Sequence, residues 1–149
     1  MEIRNATSSD LELIVPLFDA YRVFYDQESN FDAARLFLKE RFSNNENVIF
    51  LAMKDDAPLG FTQLYTTFSS VSLKSFYILN DLFVIPEFRK KGVGEALLNH
   101  AKQYCQELNY KGLALETGMD NPAQKLYERL EWEKDTDYFH YFWKNPAIN

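Results

Sequence analysis

Cysteine is almost missing: Cys105 is the single one in 149 residues. One thiol excludes an internal disulfide and suits a reducing compartment. Histidine is scarce too, at two. No His, Cys, Asp and Glu spacing resembles a metal site, because zinc wants several such ligands close together; no metal is expected. No run of about 18 apolar residues occurs, which argues against a membrane span. The opening residues Met1–Arg4 lack a signal peptide's basic and apolar regions, so a soluble, cytoplasmic protein is expected. Basic residues number 16 against 22 acidic, a net charge of −6. That deficit argues against a nucleic-acid binder and mildly favours a cationic or amine partner. Repeats, low-complexity tracts and Pro/Gly/Ser-rich linkers are absent. So is any Ser/His/Asp or Cys/His arrangement for nucleophilic catalysis.

What is present is apolar and aromatic, 46% and 16% of the chain, with 13 Phe and 9 Tyr. That composition suits one domain with a single core over residues 1–149. The most informative stretch runs from Asp81 to Leu98. An apolar strand enters Pro86, then Arg89-x-x-Gly92-x-Gly94, and a helical pattern starts at once. A turn of this kind at a helix N-terminus leaves backbone N–H groups unpaired, at the positive end of the helix dipole. Such a place takes a phosphate or pyrophosphate. Gly92 and Gly94 let an anion approach the main chain, and Arg89, Lys90 and Lys91 add charge beside it. A P-loop is excluded, because Glu95 and Ala96 stand where Lys and Ser/Thr belong. The dinucleotide fingerprint is excluded as well, with Leu97 at its third glycine.

The stretch resembles the pyrophosphate loop of the GCN5-related N-acetyltransferase (GNAT) superfamily, which reads Gln/Arg-x-x-Gly-x-Gly/Ala after a strand and proline. The resemblance implies acetyl-CoA as cosubstrate. It assigns cofactor contacts to Leu82, Phe83 and Val84 on the strand and to Arg89, Lys90, Lys91, Gly92, Val93, Gly94 and Glu95 in the turn.

The remaining chain reads as alternating elements. A strand spans Glu2–Ala6, and Ser9-x-x-Glu12 forms a capping box for a helix to about Tyr25, with Pro16 expected to kink it or delay its start. Asn30 or Asp32 caps a second helix. Val48–Met53 and Pro58–Thr67 form a hairpin around Asp55 and Asp56, and Ser75–Ile85 is a long strand. After Gly92, Val93, Leu97, Ala101, Tyr104 and Leu108 mark one buried helical face. Gly112–Thr117 is a short strand, Asn121 and Pro122 open a helix, and Trp132–Lys134 and Tyr138–Lys144 are final strands. The order β-α-α-β-β-β-α-β-α-β-β is an α/β layout. It matches the same superfamily's mixed, mostly antiparallel sheet flanked by helices, with splayed central strands.

Acyl transfer from a thioester to an amine needs a neutral nitrogen about 3–3.5 Å from the carbonyl carbon, donors for the developing oxyanion and a proton donor for the thiolate. Relatives with an Asn-x-Ala-x-x-x-Tyr-like segment place the tyrosine near the cofactor sulfur as general acid and the asparagine on the pantetheine arm. By resemblance these are Tyr127 and Asn121, although a core tyrosine on an apolar helix face remains open. Glu131 departs from the pattern, because relatives usually hold a glycine there, and its loss puts the local turn in question. The base is open among Asp81, if its side chain faces the cleft, Glu116 and ordered water. The segment that covers the cleft in relatives brings Phe24, Tyr25 and Phe31 toward the acceptor, and His140 with Tyr138 is a further candidate there. His100 is expected to be packed or half-exposed, and Cys105, one step from the buried stripe, to be inert. The function expected is acetyl transfer to a primary amine of a small molecule or peptide. A non-catalytic acyl-CoA sensor on the same fold is the alternative. No nucleic acid or membrane partner is expected, and the aromatic C-terminal strands offer a surface for a homodimer.

Overall fold

The computed structural model describes residues 1–148, which fall into two units, Met1–Glu116 and the segment from Thr117 onward. In the first unit, β1 (Glu2–Asn5), β2 (Asn47–Lys54), β3 (Ala57–Ser69), β4 (Lys74–Val84) and β5 (Leu113–Ala114) form one sheet in that order. The first four pair antiparallel, while β5 runs parallel to β4. The β2–β3 turn places Asp55 (φ 50) and Asp56 (φ 66) in the left-handed region that a tight hairpin of this hand requires. Gly60 is the one place where β3 and β4 leave no room for a side chain: a Cβ there would lie 2.5 Å from the Phe83 carbonyl oxygen.

Helices α1 (Leu11–Phe24) and α2 (Phe31–Ser43) cover one face of the sheet. Ile14, Val15, Phe18 and Leu38 bury against Ile49, Leu51, Phe61 and Phe83. The other face packs on α3 (Val93–Glu107), through Val93, Leu97, Leu98, Ala101 and Cys105. Phe50 meets His100 and Tyr104 at ring distances of 4.6 and 5.2 Å. His100 is therefore half-buried, with its ring against Phe50. Leu108, expected on the buried stripe, is 42% exposed, and Cys105 takes the buried place, where desolvation raises its thiol pKa.

Local signals explain the helix starts, with one correction. The capping pair is Thr7 and Asp10, ahead of a 3₁₀ turn at Ser8–Asp10, instead of Ser9 and Glu12. Asp10 accepts from the Thr7 N–H at 2.8 Å and from both Arg4 Nη atoms at 2.9 Å, so an ion pair selects between two overlapping boxes. Glu12 instead accepts from Arg35 of α2. Pro16 lies inside a continuous α1. Asn30 caps α2, accepting from Ala33 N–H at 3.0 Å. Buried Asp19 accepts from Ser29 Oγ and Asn30 N–H at 2.6 and 2.7 Å, which fixes the α1–α2 connection.

The second unit contains α4 (Gln124–Arg129). The strands expected at Trp132–Lys134 and Tyr138–Lys144 do not form among the described residues. Alternation alone does not hold a strand that lacks a paired neighbour, and Tyr138, Phe139, Tyr141, Phe142 and Trp143 are all strongly exposed.

Candidate active site

The site begins with an irregularity in β4. Gln63 pairs with Asp81 and Leu64 with Leu79, which leaves Asn80 as an extra residue without a register partner. This bulge switches the faces of the strand. Tyr77 meets Tyr104 of α3, whereas Phe83 joins the α1 cluster, although an unbroken strand would put both on one face. Asp81 is thereby turned onto the α1 side beside Gln63. The bulge carbonyls find side-chain donors: Tyr21 Oη donates to Asn80 O at 3.1 Å, and Thr62 Oγ1 to Asp81 O at 2.8 Å.

Asp81 is 2% exposed and sits in a polar network. Gln63 Nε2 donates to its Oδ2, and Asn80 Nδ2 to its Oδ1 at 2.7 Å, while Asn47 Nδ2 donates to Gln63 Oε1 at 2.9 Å. Burial raises the Asp81 pKa, and the hydrogen bonds from Gln63, Asn80 and Tyr21 work against that rise. Burial together with the Asp81 charge also pushes the Tyr21 and Tyr65 phenols upward. A carboxylate raised in this way is better matched to taking a proton near neutral pH than a surface aspartate.

Pairing between β4 and β5 covers only Tyr77 with Leu113 and Ile78 with Ala114. β4 runs on past Ile78 to Val84 without a β5 partner among the described residues, so Leu82, Phe83 and Val84 lie outside that pairing.

β4 then runs through a 3₁₀ turn at Pro86–Phe88 into the glycine turn. Lys90 (φ 61) and Gly92 (φ 85) are both left-handed, and Gly92 is the N-cap of α3. Alternation of this kind turns successive N–H groups to one concave side. The first helical bond runs from Ala96 N–H to Gly92 O at 3.0 Å, so Val93 and Gly94 lie ahead of it, at the positive end of the α3 dipole. A Cβ on Gly92 would meet nothing within 4 Å, so the positive φ and not crowding favours glycine there. Arg89 Nε donates to Val84 O at 2.8 Å, and its guanidinium lies 5.3 Å from the Phe83 ring and 5.7 Å from that of Phe24. It fastens the turn to the strand end. Lys91 Nζ lies over Phe88 at 5.2 Å.

On the α2 side a cavity of about 590 Å³ is lined by Phe37, Arg41, Glu46, Tyr65, Thr66 and Asn80, among others. Phe24, Tyr25 and Phe31, the expected acceptor residues, are exposed around the α1–α2 connection, and the Tyr25 ring lies 5.0 Å from that of Tyr21. Tyr21, Gln63, Arg41 and Tyr65 escaped the sequence reading. Gln63 did leave a signal, a polar amide within an apolar strand.

In the second unit Asn121 Oδ1 accepts from Ala123 N–H at 2.9 Å and starts the turn into α4. Tyr127 packs beside Trp132 at 5.9 Å between ring centroids. The turn that follows α4 survives the missing glycine, because Glu131 itself takes φ 69 and Trp132 N–H reaches Tyr127 O at 2.9 Å. His140 is exposed in this unit, outside any strand.

A bulged, mostly antiparallel sheet beside a left-handed glycine turn that heads a helix is the fold that this chain shares with known acetyltransferases. The sequence pattern of the Acetyltransferase (GNAT) family matches residues 12–132. An uncharacterized N-acetyltransferase of Bacillus subtilis (strain 168), YhfO, is 49% identical over 148 residues, covering 99% of each chain. An uncharacterized N-acetyltransferase of Archaeoglobus fulgidus is 32% identical over 131 residues, 85% of this chain and 89% of that one. Among solved structures, a probable acetyltransferase matches with a TM-score of 0.93 at 42% identity, covering 97% of this chain and 98% of that one. An aminoglycoside N-acetyltransferase in complex with CoA shares the fold, with a TM-score of 0.80 at 22% identity over 97% and 94% of the two chains. The chain belongs to the GNAT acetyltransferase family and is an acetyltransferase.

Proposed function

We propose that residues 1–149 form one catalytic domain that moves acetyl from acetyl-CoA to a primary amine of a small molecule or peptide, by direct attack in a ternary complex. The observation that carries this reading is the turn with Lys90 and Gly92 both left-handed at the head of α3. Its donor set is backbone amide with two lysines beside it, which suits a diphosphate. The CoA seen in the aminoglycoside-acetylating fold neighbour supports the same ligand here.

The thioester supplies an acyl carbon already activated toward amines. The amides from Lys90 to Glu95 hold the diphosphate, with Lys90 and Lys91 adding charge. Leu82, Phe83 and Val84 offer the edge of β4 beyond its β5 pairing to the pantetheine arm, and Asn121 contacts that arm through its side-chain amide. Asp81, its pKa raised by burial, takes the amine proton. Tyr127 donates its phenolic proton to the departing sulfur. Phe24, Tyr25, Phe31 and His140 are proposed as acceptor-facing side chains.

Tyr127→Phe tests the acid role. Loss of a general acid lowers turnover by about 100-fold or more, while the CoA dissociation constant stays unchanged in calorimetry. Turnover within twofold of wild type would remove Tyr127 from the mechanism.

A further inference from the structure

We infer that the acceptor amine carries a carboxylate-like anionic group, and that Arg41 is the residue that selects it. This rests on the acetyl-transfer reading and goes on to name the acceptor's chemical class. The cavity beside the β4 bulge is lined both by Asn80, next in the chain to buried Asp81, and by Arg41. Tyr65 is in the same lining, and its pKa is raised by the Asp81 charge and lowered by that of Arg41. An acceptor whose amine lies at Asn80 therefore shares its cavity with a guanidinium.

Arg41 is held in a way that favours an anion. Its Cζ lies over the Phe37 ring, 4.6 Å from the centroid, a cation–π contact that holds the guanidinium at the cavity wall. The Nε atom is buried and makes no hydrogen bond, although Glu46 Oε1 is 3.2 Å away. Nη2 is 3.3 Å from Glu40 Oε2. Both of those carboxylates are more than half exposed, at 51% and 55%. Ion pairs with exposed partners of this kind contribute little and give way readily. A ligand carboxylate can engage the planar fork through two parallel hydrogen bonds and supply the acceptor that Nε lacks. The cavity's size suits a small molecule or the end of a peptide. The net charge of −6 favours cations in general, so a preference for an anion-bearing amine would be a local property of Arg41.

The test uses amine pairs that differ only in a carboxylate: L-lysine against cadaverine, γ-aminobutyrate against propylamine, and L-phenylalanine against phenethylamine. CoA release is measured for wild type, Arg41→Gln and Arg41→Lys, and acceptor binding to the CoA-loaded protein is measured by calorimetry. The carboxylate member is expected to show a KM at least tenfold lower with kcat little changed. Arg41→Gln should bring the ratio within twofold, and Arg41→Lys, which keeps the charge and loses the fork, should fall between. Equal use within pairs, preference for the decarboxylated member, a ratio that survives Arg41→Gln, or no binding of any carboxylate-bearing amine would each overturn the inference. Failure of CoA itself to bind would instead strike the acetyl-transfer reading.

Discussion

Among the described residues all four α-helices end on a left-handed residue that is not glycine: Asp26 (φ 64), Asn45 (φ 52), Asn109 (φ 56) and Glu131 (φ 69). Each end carries the same six-residue bond, from Gln27 to Arg22, Glu46 to Arg41, Tyr110 to Cys105 and Trp132 to Tyr127, at 2.9–3.1 Å. Asp and Asn tolerate this conformation through local hydrogen bonding, but glutamate has no such relief. Glu131→Gly should therefore stabilise the protein. The left-handed cost is about 1–2 kcal/mol, and the extra freedom of glycine in the unfolded chain returns about 0.4–1 kcal/mol of it. A net gain of about 0.5–1 kcal/mol remains, and at about 2–4 °C per kcal/mol for a chain of this size the melting point should rise by about 1–4 °C. Both tryptophans, Trp132 and Trp143, lie in the second unit, so their fluorescence follows unfolding where the change is made. Asn109→Gly is the comparison and should leave the melting point nearly unchanged. A lower melting point for Glu131→Gly, or a rise equal to that of Asn109→Gly, would refute the strain argument.

Two further predictions concern buried charge. The fold raises the Asp81 pKa above its ordinary 3.8, so its contribution to stability is full below that value and is lost as pH rises through the folded pKa. Asp81→Asn should gain melting temperature over wild type progressively as pH rises from about 4 to 8 while losing activity; a gap that stays constant or shrinks with pH would contradict the burial argument. Arg4 holds the Asp10 pKa low, so that contribution is present at neutral pH and fades as pH falls through the lowered value. Asp10→Ala should cost about 1–2 kcal/mol at pH 7, read by chemical denaturation. A loss that persists unchanged under acid conditions would show that the Arg4 pair is not its source.

The strand, turn and helix from β4 through α3 were legible because their signals are contiguous: Pro86, the basic residues and Gly92 follow one another within a few positions. The Asn30 cap was legible for the same reason. The start of α1 was ambiguous, since Thr7/Asp10 and Ser9/Glu12 are overlapping boxes and Arg4 decides between them through an ion pair no local rule contains. The bulge at Asn80 left no mark in an apolar run, yet it determines which side chains Asp81 meets. Tyr21, Gln63 and Arg41 come from three separate elements, so only the folded register shows them near the bulge or its cavity. Tyr138–Trp143 misled because alternating aromatics look like a strand whether or not a neighbouring strand pairs with them.

The grip of the turn on a diphosphate is tested most directly by following backbone ¹H–¹⁵N resonances during a CoA titration. The amides of Lys91, Gly92, Val93, Gly94 and Glu95 should show the largest downfield proton shifts, saturating together with calorimetric binding. CoA binding that leaves those five resonances in place would contradict the proposal at its root.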